Sequence, residues 1–121
     1  MGKNRITISD DGRVYMPAEI IMYPVEIADL FGVYTQTVMA NIRSLLKSGI
    51  IDPDATGVVT SFGDTVTPLH FGLDMVTALA FRFNSPKARI FREWVIKKMQ
   101  EDISDYTQYI VRLPTDKTLL N

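Results

Sequence analysis

The chain has 121 residues, with 13 Lys and Arg against 14 Asp and Glu, 46% hydrophobic and 22% charged residues, and only 7 Gly and 6 Pro; this is the size of one domain and the composition of a folding chain. The absence of cysteine excludes disulfides, thiolate metal sites and cysteine nucleophiles. A formal net charge of -1 favours neither a nucleic-acid nor an acidic partner. Apolar runs fall far short of the ~20 residues that span a bilayer, and MGKNRITISDDGR has no apolar leader core, so a soluble cytoplasmic protein without membrane contact is expected.

Arg5 to Ser9 and Arg13 to Met16 alternate polar and apolar residues around the turn-forming Asp10-Asp11-Gly12, which predicts a β-hairpin. Pro24 then opens a short helix, with Val25, Ile27, Ala28, Leu30 and Phe31 as its apolar stripe and Gly32 as its stop. Thr35 stands where it would cap a second helix, in which Val38, Ile42, Leu45 and Leu46 recur at helical spacing, with Val38, Ile42 and Leu46 as the apolar centre, and which ends near Ser48-Gly49. The stretch from Ile50 to Gly57 reads as a loop, and the β-branched segments Val58 to Thr60 and Val66-Thr67 around Phe62-Gly63-Asp64 predict a second hairpin. His70 falls on the extended Leu69-His70-Phe71 segment. A third helix follows Gly72, with Met75, Val76, Leu79, Ala80 and Phe83 on one face and an end at Asn84. Ser85-Pro86 starts a fourth, N-cap followed by first-turn proline, which carries Ile90, Phe91, Trp94, Val95 and Met99 and runs to about Tyr109. Residues 1–113 read as one module and 114–121 as a flexible tail.

Catalytic constellations lack their parts. His70 is the single histidine, which removes histidine triads and histidine-rich zinc sites and fits a structural role. The carboxylates are scattered over turns and helix ends, no phosphate-cradling glycine loop is present, and no cofactor or metal is implied. The more informative feature is the helix, short turn, helix between Pro24 and Ser48. Ala28 and Gly32 stand four residues apart, as needed where a second helix crosses the first and the turn takes a positive φ. The outer side of the second helix carries Gln36, Thr37, Ala40, Arg43, Ser44 and Lys47. Short hydrogen-bonding side chains around two cations suit a helix laid in a major groove. The plainer alternative is a helical hairpin whose polar face meets solvent. Asn41 interrupts the apolar pattern and leaves the register of this helix open by about one residue. The second hairpin would be the wing of a winged helix-turn-helix, with Thr60, Ser61 and Thr65 near phosphates, or an ordinary structural hairpin.

The near-neutral total hides a separation of charge. Residues 85–99 carry Lys87, Arg89, Arg92, Lys97 and Lys98 against Glu93 alone, a net of +4, while residues 100–121 carry a net of -2. A helix this basic either faces solvent or neutralises phosphates.

The segment Asn84-Ser-Pro-Lys-Ala-Arg-Ile-Phe-Arg-Glu-Trp-Val resembles the signature of the Bro-N domain of phage antirepressor-like proteins and of the related RhuM-type virulence proteins. In these a Ser/Pro-capped helix carries Ala-x-x-Phe-Arg-x-Trp-Val, matched here by Ala88, Phe91, Arg92, Trp94 and Val95. The Leu73-Asp74 pair and Arg82-Phe83-Asn84-Ser85 are similar to the RhuM-type stretch upstream. The similarity covers residues 5–100. It implies a DNA-binding module of phage, prophage or mobile-element regulators, whose relatives carry a further C-terminal domain.

The reading is therefore a small α+β, winged helix-turn-helix-like module with two β-hairpins and a long basic amphipathic C-terminal helix, a non-enzymatic regulator that binds double-stranded DNA. Thr35, Gln36, Thr37, Arg43 and Lys47 are the expected groove contacts, and Arg89, Arg92, Lys97 and Lys98 the expected phosphate contacts. The alternative is a protein-interaction module that occupies a repressor or dimerises through Ile103, Tyr106, Tyr109 and Ile110.

Overall fold

A computed structural model describes residues 4–51, 59–62, 65–68 and 70–112, with side-chain environments for residues 4–51 and 70–103. Strands β1 (Thr7–Ile8) and β2 (Val14–Tyr15) pair antiparallel around a turn in which Gly12 takes φ 87. The turn is held by the Ser9 hydroxyl, which donates to the Asp11 carboxylate and accepts from the Arg13 N–H. The chain then enters α1 (Pro24–Phe31), whose Glu26 carboxylate accepts from the Tyr23 N–H at 2.9 Å and from Arg5 at 3.2 Å. One acid thus closes the first turn of the helix and fastens the N-terminal strand to it.

Helix α1 stops at Gly32, which adopts φ 67 and ψ 39. After Val33 and Tyr34, α2 runs over Thr35–Ser48 and ends on a second left-handed glycine, Gly49. The N-cap of α2 is Tyr34, and Thr35 is its first helical residue, so the capping role expected of Thr35 is corrected. Strands β3 (Val59–Phe62) and β4 (Thr65–Pro68) pair antiparallel with Thr60 opposite Thr67. The turn of the second expected hairpin at Gly63-Asp64, and the side chains of Thr60, Ser61 and Thr65, lie outside the described residues. His70 occupies a bend rather than a strand; beside it, Phe71 exchanges both backbone hydrogen bonds with Met22, at 2.9 and 2.8 Å. Helix α3 (Leu73–Ala80) is shorter than its apolar spacing predicts, because Phe81 already ends it. Phe83 nevertheless reaches the core from the turn that follows. Helix α4 (Pro86–Arg112) begins as its sequence dictates, with the Ser85 hydroxyl accepting from the Ala88 N–H at 3.2 Å.

The four helices make a ring. Helix α1 packs on α2 and α4, and α3 packs on the same two. Phe31 fills the centre, meeting Phe83 and Phe91 edge-on at 5.9 and 5.7 Å between ring centroids, the geometry that aromatic quadrupoles favour. Ile6, Ile27, Val38, Ile42, Met75, Val76, Leu79 and Ala88 complete a core in which no described polar or charged residue is buried. No described helix is long and apolar enough to cross a membrane.

Candidate nucleic-acid interface

The corner between α1 and α2 is set by packing. Ala28, Phe31 and Val38 are buried where the helices meet, and the small Ala28 side chain leaves room for the second helix to approach. The Val33 N–H returns to the Ala28 carbonyl at 3.0 Å, closing the turn that the positive φ of Gly32 initiates. The buried line of α2 is Val38, Ile42 and Leu45, with Leu46 half-buried, which settles the register that Asn41 left open. Asn41 does not interrupt the seam. Its amide donates to the Thr37 carbonyl one turn back, at 2.8 Å, and the residue sits at the margin.

With that register, Thr35, Gln36, Thr37, Arg43 and Lys47 all lie on the exposed side of α2. Among the described residues none of their side chains has a hydrogen-bond or ion-pair partner, so their donors and acceptors face solvent. Helix α2 contains no acid, and Lys47 stands in its last turn, where a cation complements the helix dipole. A third cation joins this surface from elsewhere in the chain: Arg82 donates to the Ser44 hydroxyl at 3.0 Å and is itself exposed. Sequence reasoning missed Arg82 as a site residue because it lies 38 positions from Ser44 and outside the helix-turn-helix. An open groove of about 720 Å³ runs beside this face, lined by Tyr34, Thr37 and Asn41 on one side and Arg82, Asn84 and Pro86 on the other.

The cations of α4 are arranged differently. Arg92 turns inward: its guanidinium donates to the Ala80 and Phe83 carbonyls, both at 2.6 Å. It thereby closes the C-terminal end of α3. Arg89 pairs with Glu93 at 3.6 Å, one helical turn on, and Lys98 pairs with Glu101 at 3.7 Å while lying 5.8 Å from the centre of the Trp94 ring. Lys97 is exposed. Arg92 is thus tied into the fold, whereas the pairs of Arg89 and Lys98 are exposed contacts along the surface of the helix, of a kind that contributes little. Helices α2 and α4 each pack on α1 and α3, and the groove beside the α2 face reaches the start of α4 at Pro86.

The remaining candidates for chemistry stay apart. His70 is half-buried with its ring edge-on to Tyr23 at 5.9 Å, and no group of three or more His, Asp or Glu among the described residues is placed to hold a metal. Comparison with family models, with curated proteins and with solved structures finds no match to this chain.

Proposed function

We propose that the protein is a non-enzymatic, DNA-binding regulator of the Bro-N or RhuM-like kind, with α1 and α2 as a helix-turn-helix and α2 as the helix that enters the major groove. The observation that carries this reading is the outer face of α2: hydrogen-bonding side chains at Thr35, Gln36 and Thr37, two cations at Arg43 and Lys47, no acid, and Arg82 fastened alongside. Thr and Gln have the donors and acceptors to read base edges, and Arg43, Lys47 and Arg82 the charge to meet bases or phosphates. In this reading β3 and β4 serve as a wing beside the duplex, and the function belongs to cytoplasmic regulation of phage or mobile-element genes.

Fluorescence anisotropy with mixed genomic duplex at ~50 mM salt, where phosphate contacts contribute most, tests it. Binding is expected, weakened by Arg43→Ala and by Lys47→Ala with the fold unchanged. No binding by the parent, or binding indifferent to both substitutions, refutes it. A protein-interaction module that touches no DNA is the second reading, favoured by the exposed Ile96, Met99 and Ile103 of α4.

A further inference from the structure

Helix α4 outlasts the core it helps to build. Ala88 and Phe91 are fully buried and Trp94 and Val95 half-buried, but every residue from Ile96 to Ile103 is exposed, so the helix projects from the ring into solvent. Three of those exposed residues are large and apolar: Ile96, Met99 and Ile103 are 52%, 57% and 58% accessible. Their spacing alternates three and four residues, and the same alternation continues through Tyr106 and Ile110 along a backbone that is helical to Arg112. This is a heptad pattern with isoleucine at each first position (96, 103, 110) and Met99 and Tyr106 at the fourth. It spans about two and a half heptads, roughly 25 Å of helix.

We infer that this projecting segment is the seam of a parallel, two-stranded coiled coil with a second copy of the chain. Two features select a like copy over a charged partner. β-Branched residues at every first position fit the holes of a parallel pair. The flanking positions, Val95, Gln100, Asp102, Thr107 and Tyr109, carry one charge among them, and in parallel register Asp102 faces the partner's Thr107 rather than another acid. The remaining charges of the segment, Lys97, Lys98, Glu101, Asp105 and Arg112, fall at the outer positions, where they keep the pair soluble without opposing it. The short seam is offset by preorganisation: the folded ring already holds the first turns of α4, so the unfavourable nucleation of the helix does not fall on association. The inference is independent of whether the protein binds DNA.

The cysteine-free sequence allows a clean test on the full chain. Sedimentation equilibrium from about 1 to about 500 µM, the range of a moderate interface, is expected to show a reversible monomer and dimer. Ile103→Asp is expected to shift the chain to monomer across that range while melting like the parent at dilutions where the parent too is monomeric, and Gln108→Lys, at an outer position, to leave the dimer intact. Under mild oxidation Ile103→Cys is expected to form a disulfide-linked dimer and Gln108→Cys to remain largely uncrosslinked, because a parallel pair brings like first positions together. A parent that stays monomeric throughout, a dimer that survives Ile103→Asp, or equal crosslinking of the two cysteine variants overturns the inference.

Discussion

Arg92 separates two accounts of the signature that runs from Ala88 to Val95. If its guanidinium closes α3, its removal destabilises the fold; if it meets a phosphate, removal weakens DNA binding and spares the fold. Both hydrogen bonds, to the Ala80 and Phe83 carbonyls, are 2.6 Å long and involve a charged donor, and each such bond contributes about 1.5–3 kcal/mol. Arg92 is only half-buried, so on truncation water re-solvates part of what is lost, and Arg92→Met, which keeps the apolar stem, is expected to cost about 2–3 kcal/mol. For a chain of this length that corresponds to a fall in Tm of about 10 °C. The assay is thermal unfolding followed by circular dichroism, with Lys97→Met as the exposed control, expected to move Tm by less than about 1 °C. An Arg92→Met variant that melts with the parent while losing affinity for duplex refutes the capping role and returns Arg92 to the phosphate surface.

Other substitutions probe the elements that hold α2 in place. Gly32→Ala puts a side chain on a backbone with φ 67; no atom lies within 4 Å of the added Cβ, so the cost is that of the left-handed conformation alone, about 1–2 kcal/mol by chemical denaturation, with Gly32→Asn milder. Ser85→Ala removes the acceptor for the Ala88 N–H and is expected to cost about 1 kcal/mol in the same measurement. Phe31→Ala empties the middle of the aromatic cluster formed with Phe83 and Phe91, and a loss of about 3–5 kcal/mol is expected by chemical denaturation, a large share of the ~5–15 kcal/mol typical of a domain.

Much of the framework is legible in the sequence because it depends on local chemistry. Ser85-Pro86 marks the start of α4, and Gly32 and Gly49 the ends of α1 and α2, since each satisfies a backbone demand that few other residues meet. The exposed face of α2 follows from periodicity once one buried position is known. What sequence could not supply is the destination of long side chains. Arg92 and Lys97 both read as cations of a basic helix, yet one donates to carbonyls across a helix junction and the other lies exposed in solvent. Arg82 read as part of a motif, and only its reach to Ser44 places it beside α2. The seam of α4 is legible only in part: Ile103, Tyr106 and Ile110 stand out as residues for dimerisation, but Ile96 and Met99 merge with Ile90, Phe91, Trp94 and Val95 into one apolar stripe until burial shows where the core stops.

Whether the cations of α4 share the surface of α2 has a measurable consequence for how the protein meets DNA. If binding uses the surface around α2 alone, each chain brings three cations to phosphates or bases, Arg43, Lys47 and Arg82. Counterion release then gives a slope of log K against log salt of about -2.7, a loss of about 40-fold in affinity per chain between 50 and 200 mM. If α4 lay on the same surface, Arg89, Arg92, Lys97 and Lys98 would raise the count to seven, the slope would steepen to about -6, and the same change of salt would cost several thousand-fold. The carbonyl hydrogen bonds that hold Arg92 inward favour the shallower slope. A salt titration of anisotropy on a single-site duplex, at protein concentrations where the chain is monomeric, distinguishes the two. Replacing Lys97 by alanine should leave the shallow slope unchanged, whereas replacing Lys47 should reduce it by about one. A slope near -6 that falls on substituting Lys97 would mean that α4 bends toward the duplex or that DNA binds on the side of α4, and the placement of α2 in the groove would have to be abandoned.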